Sequence, residues 1–247
     1  MFNRTPDWPA FYFHEELAGD EIVIEGLKWL LQRAEDDGEE GVVVAPTRSH
    51  YEQRSILGYA TRTFRCETAR TLHARGAIRG PILAVWPRDE VLDQIEEWHA
   101  PSALCVVPWQ LEFIEKWRLA RRPVDLLGIE EVAPEPTIED PVVLVAMESV
   151  NRFVNVNNNL AQPEDKAAAV DALQKLDRAG HILNPAELEV WALANGWEPR
   201  GAARLREYAE KIRNGRSLRF YGFSWKPEAA ELWRQEAEKR ARGEDDS

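Results

Sequence analysis

The chain has 247 residues, 44% of them hydrophobic and 30% charged, with a formal net charge of −12. A chain of this length suits two domains with a sizeable core. No apolar run approaches the ~20 residues of a membrane-spanning helix, and the net acidity argues against a protein that simply coats nucleic acid.

The first 19 residues carry scattered aromatics (Phe2, Trp8, Phe11, Tyr12, Phe13) but no basic start followed by an apolar run, so no secretory signal is read there. Asp20 can cap a helix over 21–33, with Ile22, Leu27 and Leu30 at helical spacing. An acidic turn, 35–41, ends it. The unbroken apolar run VVVA at 42–45 predicts a strand buried on both faces, as in parallel sheets. Residues 52–75 look helical, broken once near Gly58. PILAVW at 81–86 and ALCVV at 103–107 predict two more buried strands. Helices are predicted over 88–99, with Val91, Leu92, Ile95 and Trp98 on one side, and over 110–121. A weak fourth strand follows at 124–127.

Strands alternating with helices predict an α/β fold: a mainly parallel, doubly wound, Rossmann-like sheet of about four strands over 1–128. Residues 129–141, beginning IEEVAPEPTIED, are acidic, rich in proline and aperiodic, and read as an interdomain linker. An all-helical domain is expected over 142–240. Its first helix ends in the asparagine-rich stretch 155–159, and Pro163, Pro185 and Pro199 open the next three. Residues 217–225 (SLRFYGFSW) read as an extended arm or hairpin, followed by a last helix over 227–240. The charged tail 241–247 is expected to be disordered.

Cys66 and Cys105 lie far apart, in different predicted elements, and form no disulfide framework, so a reducing cytoplasm is the expected compartment. Charge is segregated along the chain. Residues 48–80 hold seven Arg against two Glu, and 198–226 hold eight bases against three acids. The arginines of 48–80 are expected to pair with the acidic N-terminal helix or the linker.

The three best strands end alike, in Ala45-Pro46-Thr47-Arg48-Ser49-His50, Trp86-Pro87-Arg88-Asp89 and Val107-Pro108-Trp109-Gln110. Proline cannot donate to the ladder, so each strand stops there. In open α/β sheets the carboxyl ends of the strands form the ligand crevice. Thr47, Arg48, Ser49, Arg88 and Gln110 are therefore the expected ligand-binding residues. Their hydroxyls, amide and two guanidinium forks suit phosphate or carboxylate, and adjoining helix N-termini would favour an anion.

The sequence contains no phosphate-binding G-x-x-x-x-G-K-[ST] loop, no G-x-G-x-x-G fingerprint and no G-x-S-x-G elbow. The run VVVAPTR is similar to a short motif of DEAD-box helicases, but it comes without their phosphate-binding loop or acidic box. No cofactor is implied. The five histidines and two cysteines lack zinc-like spacing, so no metal site is expected. His50 and Asp89 are the candidates for acid/base work.

Residues 187–206 (ELEVWALANGWEPRGAARLR) follow helix–turn–helix spacing. Ala192 would let two helices cross closely, Gly196 would make the turn, and Ala202 and Leu205 would pack the second helix back. Arg200, Arg204, Arg206, Lys211, Arg213, Arg216 and Arg219 are the candidate nucleic-acid contacts. The expected function is a ligand-responsive, nucleic-acid-associated regulatory protein, holding an anionic or phosphorylated small molecule at the strand ends and DNA along 200–219. Two alternatives stand beside it. One is an enzyme acting on a nucleotide or phosphorylated small molecule. The other is a non-catalytic subunit that associates, with itself or another protein, through an exposed aromatic N-terminus and its segregated charge.

Overall fold

A computed structural model of the protein describes residues 8–14, 19–53, 55–74, 76–130, 132–133 and 135–243. The chain divides into two compact units that part between Glu135 and Pro136.

The first unit is a parallel α/β sheet. Its elements in order are β1 (Ala10–Tyr12), α1 (Asp20–Asp37), β2 (Val42–Ala45), α2 (Arg48–Gln53), α3 (Ser55–Ala60), β3 (Arg65–Thr68) and β4 (Ile82–Val85). Then come α4 (Asp89–Trp98), β5 (Leu104–Val107), a 3-10 turn (Leu111–Ile114), α5 (Glu115–Arg121) and β6 (Val124–Asp125). The six strands lie in the order β3-β2-β4-β5-β1-β6, and every pairing is parallel. The mixed α/β class and parallel sheet agree with the sequence, but there are six strands rather than about four.

Each apolar run serves both faces of the sheet, because side chains alternate along a strand. Val43, Leu83 and Cys105 stand in register across β2, β4 and β5 and share one core cluster. Val42, Val44, Ile82, Ala84, Leu104 and Val106 fill the cluster on the other face. Connections running toward the β3 edge, through α1, α2 and α3, bury Val23, Leu30, Tyr51 and Leu57 on the first face. Connections running toward β6 bury Leu72, Ile78, Leu92, Ile95, Ile114 and Trp117 on the second. One crossover hand for every connection imposes this sorting. α1 lies close on the sheet at Gly26, where a Cβ would come within 2.9 Å of Val107 Cγ2.

Two strands escaped the sequence reading. β3 falls inside the stretch 52–75 read as helical. Its Arg65 and Glu67 sit on a core-facing side yet form an ion pair at 2.8 Å, with Glu67 only 2% exposed. A charged pair that neutralises itself looks like a solvated helix face in the sequence. β1 is three residues long and gains its partners, β5 and β6, only through long-range pairing. It also removes the premise of an exposed aromatic N-terminus: Tyr12 and Phe13 are buried and Phe11 packs against Trp29 at 5.7 Å. Phe2 lies outside the described residues. Of the arginines of 48–80, Arg65 pairs with Glu67 and Arg48 with Glu52, each within its own element. The side chains of Arg54 and Arg75 lie outside the described residues.

The start of the acidic segment after β6 is folded onto the sheet. Asp125 accepts from the amides of Leu127, Ile129 and Glu130 at 2.8–3.1 Å, and Glu130 accepts from the Tyr12 hydroxyl at 2.8 Å.

The second unit holds α6 (Pro141–Phe153), a 3-10 turn (Val156–Asn158), α7 (Pro163–Arg178), α8 (Pro185–Ala194), α9 (Pro199–Arg213) and α10 (Ala229–Ala241). α7 runs through its middle, with Ala167 to Ala169, Val170, Ala172, Leu173 and Leu176 fully buried. The segment 217–225 is no projecting arm. Gln174 bonds Ser217 Oγ and Leu218 O at 3.0 and 3.1 Å, and Asp171 accepts from Ser224 Oγ at 2.9 Å and Trp225 N at 2.7 Å. Phe223 and Trp225 then pack against Phe153 and Trp233, with ring centroids 4.1–5.8 Å apart. The tail expected to be disordered lies outside the described residues from 244 onward. Among the described residues no helix is long and apolar enough to cross a membrane.

The seam between α4 and α5 gives a pH test. Glu96 takes Trp117 Nε1 at 3.0 Å and Arg121 Nε at 2.7 Å, and Lys116 reaches Asp93 at 2.7 Å. Burial outweighs Lys116 and pushes the Asp93 carboxyl up from 3.8 to about 6. Its protonated form is therefore favoured on folding, and that contribution is lost as pH rises from about 4 to about 6. Urea midpoints measured across this window should shift progressively in favour of Asp93→Asn over the native chain. A difference that is flat with pH would reject the assignment.

Candidate functional site

β2 connects outward to β3, whereas β4, its other neighbour, connects outward to β5. The two connections leave the carboxyl edge in opposite directions, and an open sheet forms its crevice at such a switch point. A cleft of about 600 Å³ lies there. Pro46, Ser49, His50 and Gln53 line it after β2, Trp86 and Arg88 after β4, and Trp109 and Phe113 after β5.

Trp86 is the pivot. Its amide still donates to Val107 O at 2.7 Å, but its φ of 52° is left-handed, a conformation that costs a side chain about 1–2 kcal/mol. The indole is nearly buried, edge-on to Trp109 at 5.8 Å and tilted against His50 at 5.6 Å. Trp109 is 56% exposed, so much of its ring faces open space. The Arg88 guanidinium sits over the Phe113 ring at 4.8 Å and makes no ion pair among the described residues. Thr47 Oγ1 is shared between Ser49 Oγ at 2.7 Å and His50 Nδ1 at 2.8 Å. Among the described residues His50 Nε2 has no hydrogen-bond partner and no carboxylate orients this ring. The arrangement can stack a flat group, pair an anion and offer hydrogen bonds. It does not complete a Ser–His–acid set.

Ser49, His50 and Arg88 of the expected residues thus share the cleft. Thr47 and Arg48 line a different hollow beyond α2, where Arg48 is largely exposed and pairs with Glu52 at 3.0 Å. Asp89 turns toward α5 and accepts from Trp117 N at 3.3 Å. Gln110 is exposed at the start of the 3-10 turn and lines neither hollow. Helix dipoles do not assist as expected: α2 has six residues, and α4 opens with Asp89 and Glu90, which repel an anion. The sequence reading missed the aromatic platform of Trp86, Trp109 and Phe113. A signal was present, since a tryptophan adjoins the strand-end proline at both Trp86-Pro87 and Pro108-Trp109.

Cys66 carries no reactive thiolate, because burial pushes its thiol up to about 11. Among the described residues no group of three or more His, Cys, Asp or Glu could hold a metal ion.

In the second unit, α8 and α9 meet across a tight turn at Gly196, φ 82°. Ala192, Ala202 and Leu205 are fully buried, with Trp191, Leu193 and Trp197 around them. The basic residues are partly committed. Arg206 pairs with Glu189 at 3.0 Å and Glu210 at 2.9 Å, Lys211 pairs with Glu207, and Arg204 donates to Asn159 O at 2.5 Å. Arg200, Arg213, Arg216 and Arg219 are exposed.

The left-handed backbone of Trp86 can be tested directly. Both Trp86→Ala and Trp86→Gly lose the indole, but glycine alone adopts this φ without cost. Trp86→Gly should be the more stable of the two by about 1 kcal/mol in chemical denaturation. Equal stabilities would show that the backbone there is unstrained.

Residues 139–239 match a family model described as a domain of unknown function (DUF1889), which takes in most of the helical unit and none of the α/β unit. No curated protein and no solved structure is significantly similar to the chain.

Proposed function

We propose that the α/β unit binds a small anion carrying a flat aromatic ring, such as a nucleotide, in the cleft between the ends of β2 and β4. The observation that carries this reading is the Arg88 guanidinium, held on the Phe113 ring and free of any ion pair among the described residues, beside the open face of Trp109. In a chain of net charge −12, an uncompensated cation next to an exposed tryptophan suits a ligand that supplies both the anion and the ring. Ser49 and His50 would orient it. The reading is one of binding and includes no Ser–His–acid set, since no carboxylate orients His50 among the described residues.

Calorimetry with adenosine and guanosine monophosphates and with aromatic carboxylates tests it. At least one should bind, and Arg88→Ala should weaken it about tenfold or more, the loss of one charge-assisted hydrogen bond of about 1.5–3 kcal/mol. Arg48→Ala should leave the affinity unchanged. Absence of binding across the panel, or indifference to Arg88→Ala, removes the reading.

A second reading concerns the helical unit, and the build of α8, the Gly196 turn and α9 favours it. On it, Arg200 and Arg204 at the start of α9, with Arg213, Arg216 and Arg219 beyond its end, contact DNA phosphates. The exposed ion pairs of Arg206 with Glu210 and of Lys211 with Glu207 are each worth about 0–1 kcal/mol and would yield to a phosphate, whereas the buried Glu189 carboxylate holds Arg206 in place. Binding to a mixed duplex should then be measurable at low salt, fall steeply with added salt and weaken in Arg204→Ala. No binding at low ionic strength ends this reading.

A further inference from the structure

α2 is a wall between two hollows. Ser49, His50 and Gln53 face the cleft already described, whereas Arg48, Tyr51 and Glu52 face a larger one, about 1050 Å³, at the carboxyl ends of β2 and β3. The second hollow is built of hydroxyls rather than rings. Thr68 and Thr71 cap each other: Thr68 N donates to Thr71 Oγ1 at 2.9 Å and Thr71 N donates to Thr68 Oγ1 at 3.3 Å. Both hydroxyls are thereby fixed at the end of β3; Thr47 and Thr61 also line the hollow, with their hydroxyls bonded to Ser49 and His50 and to Gly58 O. Tyr51 offers no open ring, because it is buried and its hydroxyl is spent on Val43 O at 2.9 Å and Glu67 O at 2.7 Å.

Two arginines and two glutamates line this hollow, and both glutamates are already bound, Glu67 by an arginine outside the lining. Glu67 is bound by Arg65 at 2.8 Å and Glu52 by Arg48 at 3.0 Å. Arg70 lines the hollow, is exposed, and makes no ion pair among the described residues. A guanidinium without a carboxylate calls for an oxyanion. Fixed threonine hydroxyls, each donor and acceptor, call for a hydroxylated ligand. The volume is of the size that small-molecule sites have, far larger than a bare ion needs.

We infer that this hollow is a second binding site, distinct from the aromatic cleft, for a phosphorylated polyol. Arg70 takes the phosphate, and the hydroxyls of Thr68 and Thr71 take the hydroxyl groups of the ligand. The site stands apart from the first cleft in its residues and in the chemistry it selects.

Calorimetry on the full chain tests this with three probes: glucose 6-phosphate, inorganic phosphate and unphosphorylated glucose. Glucose 6-phosphate should bind the native chain, inorganic phosphate at least about tenfold more weakly, and glucose not measurably. Arg70→Ala should weaken glucose 6-phosphate binding about tenfold, with Arg70→Lys falling between, while Arg88→Ala leaves it within about twofold. Arg70 is exposed, and an unchanged thermal midpoint would show that its variants fold. The inference is overturned if glucose 6-phosphate does not bind the native chain, if Arg70→Ala binds it equally well, or if inorganic phosphate binds as tightly. Loss of binding in Arg88→Ala instead of Arg70→Ala would move the ligand to the first cleft and equally end the proposal.

Discussion

The ladder between β2 and β4 carries the rest of the α/β unit. Val42, Val43 and Val44 lie opposite Ile82, Leu83 and Ala84 with both strands running the same way. The two strands therefore end at the same edge, and Pro46 and Trp86 are delivered to one rim. Burying a valine or leucine stabilises by roughly 1.5–3 kcal/mol, whereas an exposed ion pair at the rim contributes about 0–1 kcal/mol. The core thus decides where the rim residues stand. The residues at the strand ends hold their positions because the strands beneath them cannot slip without exposing a whole row of buried side chains.

The same logic explains how an acidic chain keeps positive sites. Many of its carboxylates are structural. Glu96 joins α4 to α5 through Trp117 and Arg121. Glu67 balances Arg65 inside β3, and Asp125 gathers the amides that follow β6. Each of these acids is spent on a partner within its own unit. Arg88 and Arg70 remain on either side of α2 without ion pairs among the described residues. Their surroundings differ, rings around one and hydroxyls around the other.

In the helical unit a few polar anchors organise an aromatic core. Asp171 and Gln174 on α7 are buried and bind the main chain and hydroxyls of 217–225, which sets Phe223 and Trp225 against Phe153 and Trp233. Leaving either anchor unpaired in the core would cost about 1–3 kcal/mol, so this irregular segment is as specified as the helices around it. The basic charge of Arg216 and Arg219 consequently belongs to a folded strap, not to a free arm.

The sequence by itself determined the parallel α/β class, the three central strands and the all-helical second half. Runs such as VVVA and LCVV encode burial on two faces locally, and prolines mark helix starts and strand ends residue by residue. It also placed Ser49, His50 and Arg88 at strand ends. Tertiary structure alone decided which strand ends adjoin, because pairing order is a long-range property that no local pattern carries. It put β1 between β5 and β6, turned RCET into an edge strand through the Arg65–Glu67 pair, and brought Trp86, Trp109 and Phe113 from two different connections to one cleft. It also set Arg48 and Ser49 on opposite sides of α2, since successive residues of a short helix point in different directions and only the packing of that helix fixes which hollow each one meets.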